Sequence, residues 1–252
     1  MPYNTLRPLL EKLNFKGMLA HLDELVMLDQ IKQISDGDLF RDGDLFRKLL
    51  EIEITYRQTR SLAYRQELAR LPHIKSLENF DWSHTSIQKD KIDPLMECHF
   101  IHQKENLLLI GGSGTGKTHI SLALAHQALQ KDCRVKFYFF SDLARHLIYA
   151  KERKYEQNFM ASLQRFHLLI IDELGYLPVD QQAGALLFEL FSKLYEKTSL
   201  IITTHLTFDE WTPLFGNPKS SKAMIDRITH HCTILETGHK SWRLKEGKMM
   251  QK

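Results

Sequence analysis

The stretch LLLIGGSGTGKTHISLALA, residues 107–125, decides the fold. Four apolar residues run into a glycine-rich loop, then Lys117 and Thr118, then apolar residues at helical spacing. Residues 111–118 fit the pattern G-x-x-x-x-G-K-[ST], and a strand before with a helix after is the context in which that pattern cradles phosphate. Glycines let the backbone curl until its N–H groups converge on phosphate oxygens. The N-terminus of the following helix adds partial positive charge. The expected ligand is ATP with Mg²⁺, lined by Gly111, Gly112, Ser113, Gly114, Thr115, Gly116, Lys117, Thr118 and His119. Lys117 would reach the β and γ phosphates, and the Thr118 hydroxyl would hold the metal.

A second apolar run, HLLIIDELGY at 167–176, ends in two carboxylates. At the carboxyl edge of a parallel sheet they face the ligand crevice. Asp172 is expected to hold Mg²⁺, and Glu173 to orient or deprotonate an attacking water. RVKFYFF (134–140) intervenes between the two motifs, and SLIITT (199–204) and CTILE (232–236) follow them. With NLLLI (106–110), these make five strand-length runs separated by helical stretches. The fold class is therefore α/β, a three-layer P-loop architecture around a five-stranded parallel sheet. Thr204 or His205, at the end of the fourth run, is placed to contact the γ-phosphate or the water. Arg227 closes a short helix before the last strand, where an arginine can reach a nucleotide held by an adjacent subunit.

The N-terminal region reads differently. Apolar residues recur three and four apart over 4–30, predicting one helix, and again over 44–70. Between them DGDLFR repeats in tandem at 36–47, without the glutamate that a twelve-residue calcium loop requires. The expected organisation is a helical N-terminal domain over 1–72, a linker over 73–84 in which Phe80 and Trp82 dock, and an ATPase core over 85–252. Some sixteen residues follow the last strand, so no helical lid domain is expected.

Net charge is only +3, yet residues 217–252 carry eight Lys/Arg, and arginines cluster at 57, 60, 65 and 70. Basic patches on a near-neutral chain suit a polyanion. No run approaches the roughly 18 apolar residues of a membrane span. The N-terminus lacks the apolar core of a signal peptide. Three scattered cysteines argue for a reducing compartment. The expected location is the cytoplasm. Cys98-His99-x-x-His102 and His230-His231-Cys232 lack partners at zinc-site spacing.

The segments GSGTGKTHISLALAHQAL (112–129), LLIIDELGYLPVDQQAGALLFEL (168–190), FDEWTPLFG (208–216) and MIDRITHHCTILETGHKSWRLK (224–245) resemble the IstB-type ATP-binding helpers of insertion-sequence transposons. Those group with DnaC-type helicase loaders and DnaA-type initiators among the AAA+ ATPases. The resemblance extends to LLEKLNFKGMLAHLDEL (9–25) and SLENFDWS (76–83). It implies a protein that binds ATP, self-assembles on duplex DNA without sequence preference, and selects or remodels target DNA for a partner transposase. Hydrolysis, stimulated by the transposase, would then break up the assembly. Carried over by position, Asp172 and Glu173 are the metal and hydrolysis carboxylates, and Arg227 is the finger supplied to the next protomer. Where relatives often carry Asn after the fourth strand, this chain has His205. Arg243 is a weak candidate for a second sensing arginine. Lys151, Arg153 and Lys154 are the candidate DNA contacts, with the arginines at 57, 60, 65 and 70 as rivals that could instead serve self-association or transposase docking. A helicase loader is the alternative reading, separated from the first by what the N-terminal helices grip.

Overall fold

The computed structural model describes residues 3–33, 44–78, 80–176, 180–215 and 218–238. The first DGDLFR copy, the first two residues of the second, and Arg243 lie outside them. Two compact units divide the chain, Met1–Tyr64 and Arg65–Lys252.

The first unit holds α1 (Tyr3–Lys12), α2 (Lys16–Gln33) and most of α3 (Asp44–Ala69). The single helix expected over 4–30 is in fact two. Asn14 takes a left-handed φ of 58°, and the Phe15 amide turns back to the Leu10 carbonyl at 2.9 Å. Packing forces this break. In one straight helix Leu10 and Met18 would stand about 12 Å apart along the axis. The bend brings both into one buried cluster with Leu22 and Leu49. Asparagine tolerates the left-handed turn better than most residues. A Cβ on Gly17 would lie 2.6 Å from Tyr56 Cβ, so α2 and α3 meet there almost backbone to side-chain root. Buried Glu53 caps α2, accepting from the Met18 amide at 3.1 Å and from Arg57 at 2.7 Å. Burial alone would raise its carboxyl, but Arg57 and the α2 amides outweigh that and hold it below the usual range.

In the second unit, α4 (Lys89–Met96) and α5 (His99–His102) precede β1 (Asn106–Gly111) and α6 (Lys117–Gln130). Then come β2 (Val135–Phe139), α7 (Phe140–Glu152), α8 (Glu156–Leu163) and β3 (Leu168–Leu174). α9 (Gln181–Leu194), β4 (Ser199–Thr204), a 3-10 segment (Phe208–Phe215), α10 (Pro218–Thr229) and β5 (Cys232–Gly238) complete it. All strands are parallel, in the order β2-β3-β4-β1-β5. This is the expected three-layer α/β P-loop fold, and among the described residues no helical lid follows β5.

Alternation along the strands builds two cores. Leu169 and Ile171 of β3 pack with Leu200 and Ile202 of β4 against α7, α9 and α10. Leu168 and Ile170, equally buried, point the other way, toward the layer that holds α6. Strands covered on both faces are apolar over most of their length, which is why LLII (168–171) and LII (200–202) read as continuous runs.

Two segments singled out in the sequence meet here. Trp211 of the FDEW stretch is fully buried, with Phe208 5.5 Å and Phe215 6.5 Å from its ring. The 3-10 segment that holds it packs on α9 and α10. Gly175, at φ 82°, sits where a Cβ would lie 2.1 Å from Leu206 Cδ1 and 3.4 Å from Leu214 Cδ1. The turn after the acidic strand is thus pressed against the segment that seats α10. Leu177 to Val179 of that turn lie outside the described residues.

Candidate nucleotide site

The carboxyl ends of β1, β3 and β4 converge on one cavity of about 1060 Å³. β1 runs into the glycine loop, which a buried hydroxyl pair staples to the sheet. Thr115 Oγ1 donates to the Gly112 carbonyl at 2.8 Å and lies 2.6 Å from Thr237 Oγ1 of β5. Gly116 enters α6 at φ 95°, a conformation open to glycine and strained for others. Lys117 Nζ donates to the Gly111 and Gly112 carbonyls at 2.7 and 2.6 Å, which sets the amine in the mouth of the loop.

One helical step on, Thr118 Oγ1 donates to both Asp172 oxygens, at 3.1 and 3.0 Å. A hydroxyl and a buried carboxylate are hard oxygen donors, and this set suits Mg²⁺. Asp172 is 1% exposed. Its neighbour Glu173 is exposed, and both line the cavity. Strict alternation would send the two to opposite faces. A bulge resolves this: β3 loses register with β4 between Ile171 and Leu174, and Glu173 adopts φ 62°. Such a conformation costs a non-glycine residue on the order of 1–3 kcal/mol and persists where surrounding bonds impose it. Here Thr203 supplies them, accepting from the Glu173 amide at 2.9 Å and donating to Asp172 Oδ1 at 2.6 Å.

At the end of β4 the two candidate contacts separate. Buried Thr204 spends its hydroxyl on the Leu174 carbonyl (2.9 Å) and the Leu206 amide (3.1 Å). His205 is exposed at the cavity edge, its ring 6.1 Å from Tyr176.

Sequence reasoning missed one wall. Pro72, His73, Lys75, Phe80 and Asp81 line the same cavity. Phe80 lies over the loop, 4.8 Å from the Trp82 ring and 5.0 Å from the His119 ring. His119 Nε2 donates to the Ser76 carbonyl at 2.7 Å, so this side chain ties the linker down as well as lining the cavity. The available signal was the pair of aromatics in an otherwise polar linker; which surface they cover depends on the tertiary structure.

The remaining candidates stand apart from this cavity. Arg227, on the last turn of α10, donates to Ser192 Oγ at 2.6 Å and lies 5.7 Å from the Phe188 ring. It does not line the cavity of its own chain. Lys151, Arg153 and Lys154 are exposed where α7 ends, with Arg153 5.6 Å from the Tyr149 ring. Burial pushes the Cys98 thiol up to about 11 and the Cys232 thiol to about 12, which disfavours the thiolate form that binds metals. Glu196, His230 and His231 come within 4.8 Å of one another on the surface, without Cys232.

Residues 9–249 match the family described as IstB-like ATP binding protein. The chain belongs to that family. This IstB-like chain is 32% identical over 245 residues to a protein of Bacillus thuringiensis subsp. berliner, named as an ATP-binding protein of insertion sequence IS232. The match covers 97% of this chain and 96% of the relative. It is also 32% identical to the correspondingly named IS21 protein of Pseudomonas aeruginosa, over 96% of this chain and 90% of that one. Among solved structures, AMPPCP-bound DnaA from Aquifex aeolicus superposes with a TM-score of 0.56 at 20% identity, covering 73% of this chain and 57% of that chain. The DnaC helicase loader superposes at 0.51 and 18%, covering 64% of this chain and 96% of the other. These likenesses establish the AAA+ P-loop fold. No helix among the described residues is long and apolar enough to cross a membrane.

Proposed function

We propose that this IstB-like protein is an ATP-dependent helper of transposition that assembles on duplex DNA and releases it on hydrolysis. One observation carries the reading. A phosphate loop, a buried Asp172 and an exposed Glu173 line a single cavity, while Arg227 lies outside the cavity of its own chain. ATP would bind along residues 111–119, with Lys117 leaving the loop carbonyls to meet the β and γ phosphates. Thr118 and Asp172 would hold Mg²⁺, which supplies charge neutralisation for the transferred phosphoryl group. Glu173 would take the proton of the attacking water, and His205 would orient that water or the γ-phosphate. Arg227 of an adjacent protomer would complete the site, so hydrolysis requires assembly. The exposed corner of Lys151, Arg153 and Lys154 would grip DNA phosphates without reading bases. The N-terminal helical domain, 1–72, would serve self-association, a transposase partner or DNA contact.

The relatives named for insertion sequences match at 32% over nearly the whole chain, N-terminal helices included, whereas DnaC shares the fold alone. That favours the transposition helper over the loader. The test is Lys117→Ala. Wild type with ATP and Mg²⁺ should shift a long duplex, and the variant should neither bind ATP nor associate with DNA. Equal ATP-dependent association by both proteins would overturn the nucleotide switch.

A further inference from the structure

We infer that Thr203 is a positioning residue that locks the metal carboxylate and the hydrolytic glutamate into one geometry; this deepens the ATPase reading above and rests on it. Thr203 sits on β4 with no exposed surface. Its neighbours along the strand are Leu200, Ile201 and Ile202, and a buried β position of this kind suits valine as well as threonine. Burying the hydroxyl is costly unless it is fully hydrogen-bonded. A threonine hydroxyl has one proton to give and lone pairs to offer. The proton goes to Asp172 Oδ1 at 2.6 Å, and a lone pair accepts the Glu173 amide at 2.9 Å.

The second bond fills a gap in the ladder. β3 and β4 pair through Ile171↔Ile202 and resume only at Leu174↔Thr204. Across that gap the Glu173 amide is received by a side chain of β4 instead of by its backbone. One hydroxyl therefore fixes both the φ 62° turn that aims Glu173 into the cavity and the orientation of the Asp172 carboxylate beside it. Thr118 donates to the same carboxylate from the glycine-loop side. If the Thr118 hydroxyl moves toward a metal, Thr203 still restrains Asp172 from behind. Rotation of either carboxylate is thereby coupled to the other through one buried hydroxyl in the wall of the same cavity.

The test uses the full-length protein with Thr203→Val and Thr203→Ser. Valine keeps the shape and removes both bonds, whereas serine keeps both. Thr203→Val should lower kcat about 10- to 100-fold, as expected when a reacting group shifts by a fraction of an ångström to one ångström. KM and the Kd of a non-hydrolysable ATP analogue in Mg²⁺ should stay within about threefold, and Thr203→Ser should recover most of kcat. A second readout needs no turnover. The gain in analogue affinity between EDTA and Mg²⁺ should shrink in Thr203→Val, by no more than that same factor of about three, and persist in Thr203→Ser. Wild-type kcat with an unchanged Mg²⁺ gain in Thr203→Val would overturn the inference, as would equal losses in both variants. If valine prevents folding, Thr203→Cys keeps the volume with weak hydrogen bonding and is read by the same outcomes. Failure of the ATPase reading is distinguishable: wild type would then bind the analogue no better than Lys117→Ala.

Discussion

Gly116→Ala tests the least expected feature of the site, the linker aromatic lying on the phosphate loop. A Cβ at Gly116 would stand 2.7 Å from Phe80 Cζ and 2.8 Å from Cε2, where ordinary contact begins at 3.4 Å. The ring must retreat by about 0.7 Å, yet Trp82 and His119 hold it on either side. Such overpacking costs about 1–3 kcal/mol. The left-handed φ of 95° adds about 1–2 kcal/mol for alanine. The expected loss is about 3 kcal/mol, a fall in Tm of roughly 6 to 12 °C for a chain of this size. Phe80→Ala removes the clash but not the backbone strain. On that background Gly116→Ala should cost only about 1–2 kcal/mol, leaving a coupling of about 1–3 kcal/mol in a double-mutant cycle. Urea or thermal unfolding of the four proteins gives the cycle, and nucleotide titration reports whether the loop still closes on phosphate. Additive losses, with no coupling between positions 80 and 116, would refute the placement of the linker.

Three further outcomes are expected. Arg227→Ala should bind ATP but lose hydrolysis by about 10³-fold or more. Mixing it with Glu173→Gln protein should restore turnover at hybrid interfaces, and no restoration counts against action in trans. Replacing Lys151, Arg153 and Lys154 together by alanine should weaken duplex binding for all sequences and reduce the log–log salt slope by about 2.7, at about 0.9 per phosphate contact; an unchanged slope would move the DNA contact elsewhere. Burial, with Arg70 adding repulsion, depresses Lys136 to about 8 while its amine donates to the Leu68 carbonyl at 2.8 Å. Between that value and its ordinary 10.5 the unfolded chain binds more protons than the folded one. Stability should therefore rise with pH across this window in wild type, and Lys136→Met should remove that component. Identical pH profiles for the two proteins would contradict the burial of the amine.

The glycine loop, the acidic strand and the five apolar runs were legible because each follows from local chemistry. Phosphate binding needs glycines and a lysine at fixed spacing, and strands buried on both faces are apolar over most of their length. The break at Asn14 was not legible, because 4–30 keeps helical periodicity on both sides of it; only the need to bring Leu10 and Met18 into one cluster bends the chain. Neither was the reason Asp172 and Glu173, adjacent in sequence, face the same cavity. That depends on a bulge held by Thr203, a residue thirty positions away that by itself reads as an ordinary strand threonine. The linker wall belongs to the same class. Spacing along the chain encodes contacts made within one element and its turns. Contacts between elements arise when the sheet order β2-β3-β4-β1-β5 brings distant residues together, so sequence alone determined the phosphate chemistry and tertiary structure decided its geometry.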